Sequence, residues 1–133
     1  MRRLLIVTIS VLFVGCGGGG SASSPAAPPL GLKRAERARA CLSDAGFRVV
    51  GGPRASGDRN APDVELIVSG NGGGPGAFLA FYKKVERAKR LESDLRRNAQ
   101  RFNGSVERRG PVSIVWVGKL SADDRRRIEG CAF

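Results

Sequence analysis

Hydrophobic residues recur along this chain with two different periods, and the switches between them divide it into elements. From residue 32 to 45, Ala and Leu return every three or four positions, which predicts an amphipathic helix. Residues 83–102 carry a longer stripe with the same period, and Ser121 followed by two carboxylates begins a third helix. The stripe of the long helix consists of Val85, Ala88, Leu91, Leu95, Ala99 and Phe102. Short apolar runs bounded by Gly, Pro and Asn predict strands at residues 47–50, 64–68, 77–82, 105–109 and 112–117.

The resulting element order is α-β-β-β-α-β-β-α, within a single domain at residues 31–133. The connections within 62–82 and 105–117 are short enough for antiparallel hairpins. We therefore predict an α+β fold in which the helices pack on one face of a mostly antiparallel sheet. A ferredoxin-like arrangement is one version of this architecture.

The first sixteen residues have the layout of an export signal. Arg2 and Arg3 precede an apolar run at residues 4–14, which is shorter than the roughly 20 residues that a membrane-spanning helix needs. The run ends at Gly15-Cys16, and this ending resembles the lipobox of bacterial lipoprotein signal peptides. The resemblance implies that residues 1–15 are cleaved and that Cys16 carries diacylglyceryl and acyl chains such as palmitate. The alternative is an ordinary secretory signal with an incidental cysteine.

Residues 16–30 are predicted to form the lipidated cysteine and a flexible tether. Gly and Ser fill the first part and Ala and Pro the second, so the segment has too few apolar side chains to fold. As a flexible coil, fourteen residues span about 20 Å. The tether would place the domain close to the membrane surface.

Two further cysteines, Cys41 and Cys131, lie on the first and last predicted helices. If Cys16 is lipidated, these two form an even pair, which suits an exported protein. We predict a structural disulfide between them, which requires the two helices to be neighbours. A metal pair or a catalytic thiol is the alternative, but no further ligand or base stands near either cysteine in the sequence.

Charge is the strongest compositional feature. The 133 residues contain 23 Lys and Arg, 12 Asp and Glu and no His, giving a net charge of +11. The absence of His removes His-based acid–base chemistry and imidazole metal sites. A basic face on the long helix is a candidate site for anionic lipid headgroups or acidic wall polymers. Its residues are Lys83, Arg87, Arg90, Arg97 and Arg101. A solvated face with salt bridges such as Glu92–Arg96 is the alternative.

Other motifs favour structural roles. The glycine-rich segment 70–76 lacks the Gly-Lys-Ser/Thr of a phosphate loop and precedes a strand, so a hairpin connection is predicted. The aromatic strand at 77–82 places Phe78 and Phe81 on opposite faces, which argues against stacking nucleic-acid bases. Asp123 and Asp124 are better explained by helix capping than by catalysis. We expect no nucleic-acid partner, cofactor or metal.

A second resemblance concerns the domain itself. The stretch Ala40–Phe47, and Trp116 on a strand followed by a helix bearing Cys131, are similar to small uncharacterised exported lipoproteins of high-GC bacteria. The resemblance implies architecture and location but no activity. We therefore expect a non-enzymatic binding or structural module of the cell envelope, lipid-anchored on the extracytoplasmic face of the cell membrane and meeting an unidentified protein partner. The alternative is a small envelope hydrolase without His-based catalysis.

Overall fold

A computed structural model describes residues 30–54, 59–70 and 72–133. Three helices and five strands follow one another in the predicted order, and the fold is α+β. The elements are α1 (Leu30–Asp44), β1 (Arg48–Pro53), β2 (Val64–Ser69), β3 (Pro75–Phe81), α2 (Val85–Gln100), β4 (Ser105–Arg109), β5 (Val112–Trp116) and α3 (Ala122–Ala132).

The five strands form one sheet in the order β1-β2-β3-β5-β4, and every neighbouring pair is antiparallel. β3 and β4 run in the same direction on either side of β5 and are joined by α2, which makes one split β-α-β unit. A ferredoxin-like fold interleaves two such units. Here β1 and β2 extend β3 as a meander instead, so the ferredoxin-like alternative is wrong.

The helices cover both faces of the sheet, which corrects the prediction that they share one face. α1 and α3 pack side by side against Leu66, Leu79 and Ile114, whereas α2 lies on the opposite face. The physical reason lies in β3 and β5, whose side chains are mostly buried on both sides and, apart from Ser113 of β5, apolar. Strands of this kind need cover on both faces.

Most predicted boundaries move by one or two residues, and β1 changes most. It continues past residue 50 through Gly51 and Gly52 to Pro53, because these residues still pair with β2. Gly51 has a φ of 113° and its Cα faces the Glu65 carbonyl, where a side chain would collide with the backbone. Pro53 is tolerated because β1 is an edge strand.

Local capping follows the sequence signals. Gly46 adopts a φ of 87° after α1, as the left-handed C-cap requires. The Ser121 hydroxyl accepts a hydrogen bond of 3.0 Å from the Asp124 backbone N–H at the start of α3. These caps fix where the two helices end and begin, and so where they meet.

Candidate binding surface around the second helix

Cys41 on α1 and Cys131 on α3 lie at disulfide distance, as predicted. Their sulfurs are 1.99 Å apart and their Cα atoms 5.6 Å apart. The two helices are neighbours because both bury their apolar sides in the same cluster above the sheet. Cys16 and the whole of residues 1–29 lie outside the described residues.

The beginning of α2 is tied to β2 through Asp63. The Lys83 backbone N–H donates to one Asp63 carboxylate oxygen at 2.7 Å, and the Arg87 guanidinium donates to the other at 3.0 Å. Arg87 also donates to the Ala61 carbonyl at 2.8 Å and is half-buried. Arg87 therefore belongs to a structural ion pair and not to an open basic face. No local pattern predicts this pair, because its two partners are 24 residues apart in the chain.

The Lys83 side chain is exposed just before α2, and the other three predicted basic residues lie on the surface of α2 and at its C-cap. Arg90, Arg97 and Arg101 are exposed, and Arg97 makes a long contact of 3.7 Å with Asp94. Arg90 and Arg101 have no ion-pair partner within residues 30–54, 59–70 and 72–133. All three side chains are exposed to solvent and can meet an anionic surface, Arg97 while still near Asp94.

Glu92 fastens the middle of α2 to the edge strand β4. Its carboxylate accepts hydrogen bonds from Arg108 at 2.7 Å and from Arg96 at 2.6 Å. The hydrogen bonds from Arg108 and then Arg96 hold the pKa of Glu92 below its usual value. The Glu92–Arg96 pair predicted from the sequence is present, and Arg108 adds a second partner from another element.

Tyr82 is buried beneath the first turn of α2. It is 1% exposed, packs with Ala80, Ala88 and Leu91, and its hydroxyl has no hydrogen-bond partner among the described residues. Burial raises the pKa of Tyr82 to about 12, although the nearby Arg87 charge acts in the opposite direction. The hydroxyl is therefore neutral at physiological pH.

Two concave regions that the sequence did not predict lie on opposite faces. One, of about 370 Å³, lies between the end of α3 and α1 and is lined by Arg34, Arg37 and Arg109. Arg109 is already engaged there, by Glu107 at 2.8 Å and by Glu129 at 3.7 Å. Each region is assembled from separate segments, so no local sequence pattern marks it.

The second region, of about 170 Å³, is an apolar groove between α2 and the sheet. Its walls include Phe78, Leu95 and Phe102. Phe102 was expected to complete the buried stripe of α2, but the helix ends at Gln100 and the Phe102 side chain is 68% exposed. The groove and the exposed arginines together make this side of α2 the candidate binding surface.

No protein-family model, curated protein or solved structure matches the chain. Among the described residues, none of the helices has the length and apolar character needed to cross a membrane. Function is therefore inferred from the residues themselves.

Proposed function

We propose that this protein is a lipid-anchored, non-enzymatic binding module of the cell envelope. Cys16 holds it on the extracytoplasmic face of the cell membrane. The observation that carries the proposal is the order of features in residues 1–30. An apolar run ends at Gly15-Cys16, and an uncharged Gly/Ser/Pro segment follows. Two or more acyl chains on Cys16 would give a stable anchor, whereas one chain binds only marginally.

The charge of the mature chain supports an anionic target. Without Arg2 and Arg3, 21 basic residues stand against 12 acidic ones, leaving +9. Most carboxylates of the domain are engaged in ion pairs, so much of the surplus faces solvent. The paired carboxylates are Asp63, Glu65, Glu92, Asp94, Glu107, Asp123 and Glu129. Held near the membrane, this surface would meet anionic headgroups or acidic wall polymers.

The anchor is tested by fractionating cells that express the full chain with Cys16→Ser. We expect the variant to leave the membrane fraction and appear in the soluble fraction. The wild-type chain is expected to require detergent for release. A variant that still requires detergent would contradict anchoring through Cys16.

The anionic target is tested by sedimentation with vesicles containing phosphatidylglycerol. Each basic residue near an anionic membrane contributes about 1 kcal/mol, so changing Arg90, Arg97 and Arg101 to Glu should weaken binding by at least about 100-fold. The matched control changes Lys33, Arg34 and Arg37 to Glu, which alters the net charge equally on another helix. Equal losses in both variants, or none in the first, would dismiss the α2 surface.

A further inference from the structure

One row of apolar side chains crosses the entire sheet on the face that carries α2. The strand registers place Val50, Ile67, Phe78, Val115 and Val106 side by side from β1 to β4. Because alternate residues of a strand point to opposite faces, all five side chains lie on the same side. They form a continuous apolar band across five strands.

α2 covers only one half of this band. Ala99 packs on Val106 and Val115, and the contacts of the helix with the sheet are concentrated on β4 and β5. At the other end, Val50 on the edge strand is 44% exposed, while Ile67 and Phe78 are half-buried. Phe78 also packs against the cluster of Ala99, Val106 and Val115, so the open part of this apolar floor consists of Val50, Ile67 and the exposed side of Phe78.

The open half has the dimensions of one helix. It spans β1 to β3, which is two strand spacings or about 10 Å, and an α-helix with side chains is about 10–12 Å across. One wall is formed by Leu95 and Asn98 of α2 together with Phe102 just beyond its end. Because this wall rises by a helix diameter above the floor, a flat bilayer surface cannot reach Ile67 or Phe78.

Basic residues outnumber acidic ones around the groove. Glu65, which lines it, is paired with Arg54. Arg48 begins β1 on the same face as Val50 and is exposed. Arg90 and Arg97, seven residues apart on α2, and Arg101 at its C-cap share one exposed side of the helix above the groove. An occupant with acidic flanks is favoured by this charge. A second copy of the chain is disfavoured, because α1 and α2 each carry two more basic than acidic residues and α3 is neutral, so none of these helices has an acidic surplus.

We propose that this groove, defined by Val50, Ile67, Phe78 and Phe102, docks an amphipathic helix of a partner protein. The apolar stripe of the partner helix lies on the open floor, and its Asp and Glu residues face Arg48, Arg90 and Arg101. The bound helix lies beside α2 and completes the cover of the sheet. The inference goes beyond the proposed function, since it concerns a protein partner and holds whether or not Cys16 is lipidated.

The experiment is site-specific photo-crosslinking of the full chain in its native envelope, with benzoylphenylalanine in place of Val50. The crosslinked peptides are identified by mass spectrometry. We expect adducts to a protein segment with apolar residues at three- and four-residue steps and flanking Asp or Glu. The same probe in place of Ser93, which is exposed and lies away from the groove, should give little of that adduct.

Charge-reversal variants decide whether the adduct depends on the groove. Arg90→Glu with Arg101→Glu should lower the yield at least tenfold. The control, Lys33→Glu with Arg37→Glu, makes the same change in charge on α1, which lies on the opposite face of the sheet, and should leave the yield unchanged. Both pairs lie on the exposed surface, and circular dichroism verifies that each variant is folded.

Several results would overturn the proposal. An adduct to phospholipid, to a second copy of the chain or to residues 16–29 of the same chain would identify a different occupant. A protein adduct without acidic flanks, or equal yields in the two charge variants, would contradict the role of the arginines. The absence of any adduct would contradict docking at this groove. Vesicle binding is measured in a separate experiment. Failure of the partner-helix proposal can therefore be distinguished from failure of the proposed binding to an anionic surface.

Discussion

Removing the Cys41–Cys131 bond should destabilise the domain by acting on the unfolded chain. The cysteines are 90 residues apart, and the chain-entropy relation gives about 4.6 kcal/mol for closing a loop of that length. For a domain of about 100 residues, this loss lowers the Tm by about 20 °C. Cys41 is exposed and Cys131 half-buried, so the double change to Ser removes little packing.

The native state should survive this change, because Ile128 of α3 and Leu42 of α1 remain buried in a shared cluster. The assay is thermal unfolding of the chain from residue 16, with Cys16→Ser in both proteins so that no third thiol interferes. Near-ultraviolet circular dichroism of Trp116 should be the same at low temperature. A Tm decrease of less than about 5 °C, or an altered native spectrum, would refute the assignment of the effect to loop closure.

Three further predictions concern single side chains. The pKa of Tyr82 is raised from 10.0 to about 12, so the stability that its neutral hydroxyl contributes is present below pH 10. We expect that contribution, about 3 kcal/mol, to be lost as the pH rises to about 12. Tyr82→Phe should remove that decline in guanidinium unfolding, and an unchanged slope would contradict it. The pKa of Glu92 is lowered, so its ion pairs contribute to the free energy of unfolding at pH values above 4.5, the ordinary pKa of the group. This contribution is lost as the pH falls below 4.5. In urea unfolding, Glu92→Gln should therefore lose less stability than the wild type as the pH falls below 4.5. The same pH dependence in both proteins would contradict a stabilising role for the contacts of Glu92 with Arg108 and Arg96. Gly104→Ala places a Cβ against the Trp116 carbonyl and should cost about 1–3 kcal/mol, whereas Gly130→Ala meets open space in α3 and should stabilise by up to about 1 kcal/mol. Similar effects of the two changes on Tm would refute this difference.

The sequence by itself determined the elements and their order, because those signals are local. The three- and four-residue steps from Val85 to Ala99 set α2, and the hydroxyl of Ser121 starts α3. The alternation in β5 separated Ile114 and Trp116 from Val115, and the structure places them on opposite faces. The cysteine pair was also predictable, since parity and helix position point to the same two residues.

The tertiary structure alone decided which face each helix covers and which charges stay exposed. α2 packs on the face opposite α1 and α3 because the side chains of β3 and β5 need cover on both sides, and no local pattern determines which helix provides it. Arg87 does not belong to the exposed basic surface, because it pairs at 3.0 Å with Asp63, which is distant in the sequence. Phe102 is exposed because α2 ends before it. The open apolar row from Val50 to Phe78 depends on the register between strands, which places its residues side by side. Contacts of this kind depend on how separate segments meet in three dimensions, and a one-dimensional pattern does not contain that information.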